Sequence, residues 1–151
     1  MSPRILTIVA VAATFLSCHP IATADAEDRI SVKQLDTIVA GNPLRPGGDT
    51  AAIVETIRAG GAEVGVLVMS RNRLHHHVAQ DHVLYVARGS GIARLEDETG
   101  KVVSRTIGPG DILALPRGKK HGFAKSGDQD LVFLVIATPL PADVEETTFH
   151  E

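Results

Sequence analysis

Glycine and proline interrupt this chain at intervals of roughly ten residues, and that punctuation leaves it few ways to fold. Ala52–Ile57 runs into Gly60-Gly61, and Val64–Met69 into the polar stretch Ser70–Arg73. Val83–Ala87 stops at Gly89-Ser90-Gly91, which reads as a tight hairpin. Ile92–Leu95 stops at Glu96–Gly100, Val102–Ile107 at Gly108-Pro109-Gly110, Ile112–Leu115 at Pro116, and Leu131–Ala137 before Pro139 and Pro141. The runs are short and rich in Val and Ile, as half-buried strands are. About seven such strands predict an all-β sandwich or small barrel. Asp49–Arg58 also fits a helix, with Asp49 as N-cap and Gly60 past its end, but its Ile/Val/Thr content favours a strand.

The segments around this core read differently. Arg4 followed by the apolar run Ile5–Leu16, then Ala22-Thr23-Ala24, has the layout of a cleavable secretory signal peptide over residues 1–24. The run is too short to span a bilayer. Cys18 is the one cysteine of the chain, so cleavage after Ala24 leaves no disulfide to form. Phe15-Leu16-Ser17-Cys18 loosely resembles a lipoprotein signal, a less favoured reading because leucine is usual where Phe15 stands. The expected location is the periplasm or the exterior. Residues 25–50 read as a polar N-terminal arm with a short strand around Ile30–Leu35, residues 51–138 as the barrel, and residues 139–151 as a loose acidic tail.

Charge and aromatic content remove several partners. Loss of Arg4 with the leader takes the formal net charge from −3 to −4, which disfavours nucleic acid and, in the mature form, an anionic membrane. Outside the leader the aromatics are Tyr85, Phe123, Phe133 and Phe149, too few for a base- or sugar-stacking platform. A small-molecule ligand is the expected partner, and a homodimer is compatible with the chain.

Histidine carries the chemistry. Neutral imidazole is the commonest side-chain metal ligand, and His75-x-His77 puts two rings on one face of a strand. His76 then faces the other way. His82 follows shortly, and a Gly110, Pro116, Gly118 series leads into His121. His150 falls in the tail and reads as solvated, and His19 leaves with the leader.

These two stretches resemble the paired motifs of the cupin superfamily. The first motif is His-x-His, three or four residues, Glu, six residues, Gly. The second is Gly, five residues, Pro-x-Gly, two residues, His, three residues, Asn. His75, His77, Gly89, Gly110, Pro116, Gly118 and His121 fall in register. The resemblance implies a double-stranded β-helix barrel of jelly-roll type with a divalent metal held inside by His75, His77, His82 and His121. Two positions depart from the pattern. His82 stands where the family usually has Glu, and Lys125 where it often has Asn. Asp81 would serve only if the shorter spacing applied, which puts Gly89 out of step; on a regular strand it points away from His82. Tyr85 shares the parity of Asp81 and is expected outside the barrel.

Exchanging a carboxylate for an imidazole raises the formal charge of an M²⁺ site by one unit and makes the ion a stronger Lewis acid. An all-nitrogen set suits Cu, Zn, Ni or Fe better than Mg or Ca, with Mn also open, and the Irving–Williams order favours copper or zinc where an exported chain meets free metal. The resemblance implies oxygenases, isomerases, decarboxylases or lyases, and equally modules that bind metal or ligand without catalysis. The sequence points to no catalytic acid or base.

Overall fold

The computed structural model describes residues 30–45, 50–139 and 147–150. The expected leader, with Cys18 and His19, lies outside the described residues. Among the described residues ten strands form two five-stranded antiparallel sheets. One sheet has the order β1 (Ala51–Ala59), β2 (Ala62–Met69), β9 (Leu131–Ala137), β4 (His82–Arg88), β7 (Ile112–Leu115). The other has the order β10 (Thr147–Phe149), β3 (His75–His77), β8 (His121–Ser126), β5 (Ser90–Glu96), β6 (Val102–Ile107). This is the double-stranded β-helix barrel of jelly-roll type. The segment read as strand or helix over Asp49–Arg58 is a strand from Ala51 onward.

Glycine placement explains the path. Ala59 pairs with Ala62 across Gly60-Gly61, and Gly60 takes a φ of 57°, the two-residue hairpin that glycine permits. Gly89 does something else. β4 and β5 lie in different sheets, so Gly89-Ser90-Gly91 is a corner where the chain changes sheet and not the tight hairpin expected. The φ of Gly89 is 72°, and a Cβ there would sit 2.4 Å from the Asp130 carbonyl oxygen. A local turn signal reports a reversal of direction, but not which sheet receives the next strand.

The main core lies between the sheets. It contains Met69, Leu84, Val86, Ile107, Phe123 and Phe133. A second cluster, Val66, Val68 and Val132, lies on the outer face of the first sheet beneath Leu35, Ile38 and Val39. These three residues belong to a helix, α1 (Leu35–Gly41), so the strand expected around Ile30–Leu35 is replaced by uncoiled chain running into a helix. Spacings of three and four place them on one face, a helical period that a strand reading overlooks. Asp36 pairs with Arg88 and ties α1 to β4. Beyond α1, Val83, Tyr85, Ile112 and Ile136 leave the same outer face apolar and exposed. No helix among the described residues is long and apolar enough to cross a membrane.

The tail also differs from expectation. Thr147–Phe149 is not loose but adds β10 to the edge of the second sheet, pairing with all of β3. The strand is short and mostly polar, so only its partner identifies it.

Candidate metal centre

β3 consists of three histidines and no apolar residue, so hydrophobic patterning cannot make it a strand. Pairing on both sides does: His75 opposes His121 of β8, while Thr147 and Phe149 of β10 oppose His77 and His75. The second motif is tied to the first through the backbone. Gly118, at a φ of 77°, donates its N–H to the carbonyl of His77 at 2.8 Å. That bond sets the Pro116-Arg117-Gly118 turn against β3 just ahead of His121.

The three rings of the second sheet converge. Ring nitrogens of His75, His77 and His121 all lie within 4.8 Å of one another. His75 is 7% exposed and His121 3%. Ring centroids are 4.4 Å apart for His75 and His121, and 5.2 Å for His77 and His121. His82 approaches from the opposite sheet, at the start of β4. It joins the group through His77, with ring centroids 4.0 Å apart, and stands beside the mutually close trio.

Two rings have their tautomers set by the backbone. His75 Nδ1–H donates to the Arg73 carbonyl at 2.8 Å, and His121 Nδ1–H donates to the Lys119 carbonyl at 2.9 Å. With Nδ1 protonated, the lone pair of each ring is on Nε2, the arrangement that carbonyl partners enforce on metal-ligating histidines. The donor set therefore suits a divalent transition metal by its chemistry: uncharged, oriented, nitrogen-only and mostly buried.

Burial keeps these rings neutral. Desolvation pushes His77 down to about 3, helped by the neighbouring His82, His121, His75 and His76. Desolvation likewise pushes His121 down to about 4 against the raising effect of its bond to Lys119, and it lowers His75. The linkage has a definite sign. In the unfolded chain these imidazoles take up protons near 6.5, whereas the folded chain resists until much lower pH. Chelator-treated protein should thus hold its full histidine-dependent stability above about pH 6.5 and lose it progressively as pH falls toward 4. Thermal melts of that protein showing a flat midpoint between pH 7 and 4.5 would contradict this account.

The remaining polar residues fall where strand parity put them, with some additions. Tyr85 is 42% exposed on the outer face. Asp81 is engaged by Arg117, which holds its carboxylate well below the usual range through side-chain and backbone N–H bonds. His76 faces away from the trio. His150 is not simply solvated but meets His76. A cleft of about 480 Å³ adjoins His82, with Ile53, Glu63, Gln80, Val135 and Ala137 among its walls. Gly65 lines it too, where a Cβ would rest in van der Waals contact with Ile53 and Val135. Gln80 Nε2 donates to the Thr138 carbonyl at 2.7 Å, so this wall is fastened to the end of β9. No motif flagged the cleft, whose walls come from strands far apart in sequence.

With this geometry in place, comparison with known proteins adds the following. The family profile described as "Cupin domain" matches residues 59–137. Over 70 residues the chain is 30% identical to an acireductone dioxygenase of Bacillus cereus and 29% identical to one of Bacillus mycoides. Each alignment covers 46% of this chain and 41% of the relative, so the chain spans less than half the length of these proteins. Among solved structures, the capsular polysaccharide assembling protein CapF of Staphylococcus aureus superposes with a TM-score of 0.52 at 18% identity, covering 60% of this chain and 26% of that one. That likeness is one of fold alone.

Proposed function

The chain belongs to the cupin family, and on that premise we propose that it is a metal-dependent oxygenase of a small, oxygen-rich molecule, with His75, His77, His82 and His121 holding one divalent transition metal. The convergence of three mostly buried imidazoles, two of them oriented by backbone carbonyls, carries the reading. A bound metal of this kind supplies Lewis-acid polarisation of a chelating oxygen ligand and access to O₂ chemistry.

The protein's own part is orientation. Arg73 and Lys119 carbonyls hold the rings of His75 and His121, and Ile53, Val135 and Ala137 give the cleft beside His82 apolar walls. The similarity to acireductone dioxygenases favours O₂ as co-substrate and an enediol next to a carbonyl as the substrate class. The metal ion's identity is left among copper, zinc, iron, nickel and manganese.

Oxygen uptake is the test. Protein loaded separately with Fe²⁺, Ni²⁺, Mn²⁺, Cu²⁺ and Zn²⁺ should consume O₂ with a small reductone for at least one metal. Gly65→Leu should retain the metal and lose at least about tenfold in turnover, because the new side chain enters the cleft. No uptake above the metal-free rate with any ion would remove the oxygenase reading.

A second reading, a non-catalytic metal- or ligand-binding module, has one observation in its favour. Among the described residues the cleft's carboxylate, Glu63, is bonded to Arg58 at 2.8 Å, which leaves it poorly placed as a base. Metal retention with no turnover on any enediol would select it. Export through residues 1–24 belongs to the same proposal, and an intact Met1 in protein from the native host would refute it. So does pairing of two copies through the Val83, Tyr85, Ile112 and Ile136 face, which a monomer at every concentration in sedimentation equilibrium would exclude.

A further inference from the structure

The middle histidine of β3 has a partner of its own. Alternation turns His76 away from the barrel interior, and there its Nδ1 lies 2.8 Å from Nε2 of His150. The rings stack with centroids 5.0 Å apart and planes 29° from parallel. Both are half-buried, so solvent reaches them without their being loose. The strands fix the approach: Thr148 opposes His76, and His150 donates its backbone N–H to the Leu74 carbonyl at 2.7 Å. His76 and His150 are therefore diagonal neighbours across two paired strands.

From this pair the geometry points to a second, outer metal-capture site, one that takes Ni²⁺ or Cu²⁺ through His76 Nδ1 and His150 Nε2. At present one N–H donates across the gap and the other nitrogen accepts. An ion in place of that hydrogen needs about 2.0–2.1 Å to each nitrogen, which separates the two by about 2.9 Å at a right angle and about 3.3 Å at a tetrahedral one. The observed 2.8 Å matches the right-angle pair. Square-planar and octahedral ions with an affinity for imidazole, Cu²⁺ and Ni²⁺, are thus favoured over tetrahedral Zn²⁺. Water fills the remaining positions.

This site has a consequence that the barrel interior does not share. One ligand comes from β3 and the other from just beyond the three-residue strand β10. Both ligands are in place only when β10 is docked, so the ion stabilises the docked strand by mass action. The site does not depend on the interior trio or on any activity there.

The test is a count of bound metal on the tag-free chain. Wild-type protein titrated with Ni²⁺, and separately with Cu²⁺, should bind about two equivalents, while His76→Ala and His150→Ala should each bind about one. His121→Ala should keep the outer equivalent, and Ni²⁺ should raise its melting temperature. That rise should be clearly smaller in the double variant His121→Ala/His150→Ala, which lacks the outer pair of ligands. Thr148→Ala alters β10 without removing a ligand and should bind like wild type. If the interior takes no metal, wild type binds one equivalent and His150→Ala none, which supports the outer site and removes the interior one. Equal binding by wild type and His150→Ala with both ions overturns the proposal. So does a loss in Thr148→Ala as large as that in His150→Ala.

Discussion

His121→Ala should weaken binding of a divalent transition metal in the barrel interior by roughly 100-fold. Structural metal sites with four donors bind with about 10–16 kcal/mol, so each donor contributes about 3 kcal/mol. His121 is the ring for which the full share is expected. It is 3% exposed, it begins β8 directly opposite His75, and the Lys119 carbonyl sets its tautomer. Water can enter the vacated space, but it brings neither the oriented lone pair nor the softness of imidazole. The variant should nevertheless fold, because the main core of Met69, Leu84, Val86, Ile107, Phe123 and Phe133 is untouched. Competition titration against a chromophoric chelator measures the effect, with the outer equivalent counted separately. An interior affinity within twofold of wild type would show that the trio is a packed cluster of histidines and not a metal centre.

Gly89→Ala should destabilise the fold by more than about 3 kcal/mol, and Gly118→Ala by only about 1 kcal/mol. Both glycines take a positive φ, 72° and 77°, so both substitutions incur the left-handed backbone cost. Their surroundings separate them. A Cβ at Gly89 would lie 2.4 Å from Asp130 O, 3.0 Å from Asp130 C and 3.1 Å from Leu131 Cα, all backbone atoms at the start of β9. A Cβ at Gly118 meets nothing within 4 Å. Relief at Gly89 would have to come from the corner where the chain changes sheet, or from β9, whose Leu131 and Phe133 are fully buried. Urea unfolding of the two variants reads the difference. Equal midpoints would mean that the corner yields and that Gly89 serves only its φ.

Both predictions draw on features of different visibility in the sequence. The histidine spacing and the Gly110, Pro116, Gly118 series were legible because they are local rules: a strand's period of two, a turn's demand for positive φ, a proline's end to a strand. Those rules also placed Tyr85 outside. Three elements escaped them. α1 is seven residues long with only Leu35, Ile38 and Val39 to mark it, and its reason for being helical is the valine cluster of the sheet beneath. β8 offers one large apolar residue, Phe123, and β10 is mostly polar; each is a strand because its neighbours, β3 and β5 for β8 and β3 for β10, supply its hydrogen bonds.

By itself the sequence determined the strand alphabet, the turn residues and the nitrogen-only character of the candidate donor set. These follow from side-chain chemistry and spacings of a few residues. Tertiary structure alone decided which strand lies in which sheet. It also brought His82 across from β4 to within 4.0 Å of His77, ring to ring, opened the cleft beside it, and returned the tail so that His150 meets His76. The cleft and the His76–His150 contact join residues distant in the chain, the two histidines 74 positions apart. Contacts of that range arise only once both sheets have closed on their common core, because closing so long a loop costs entropy that local interactions cannot offset.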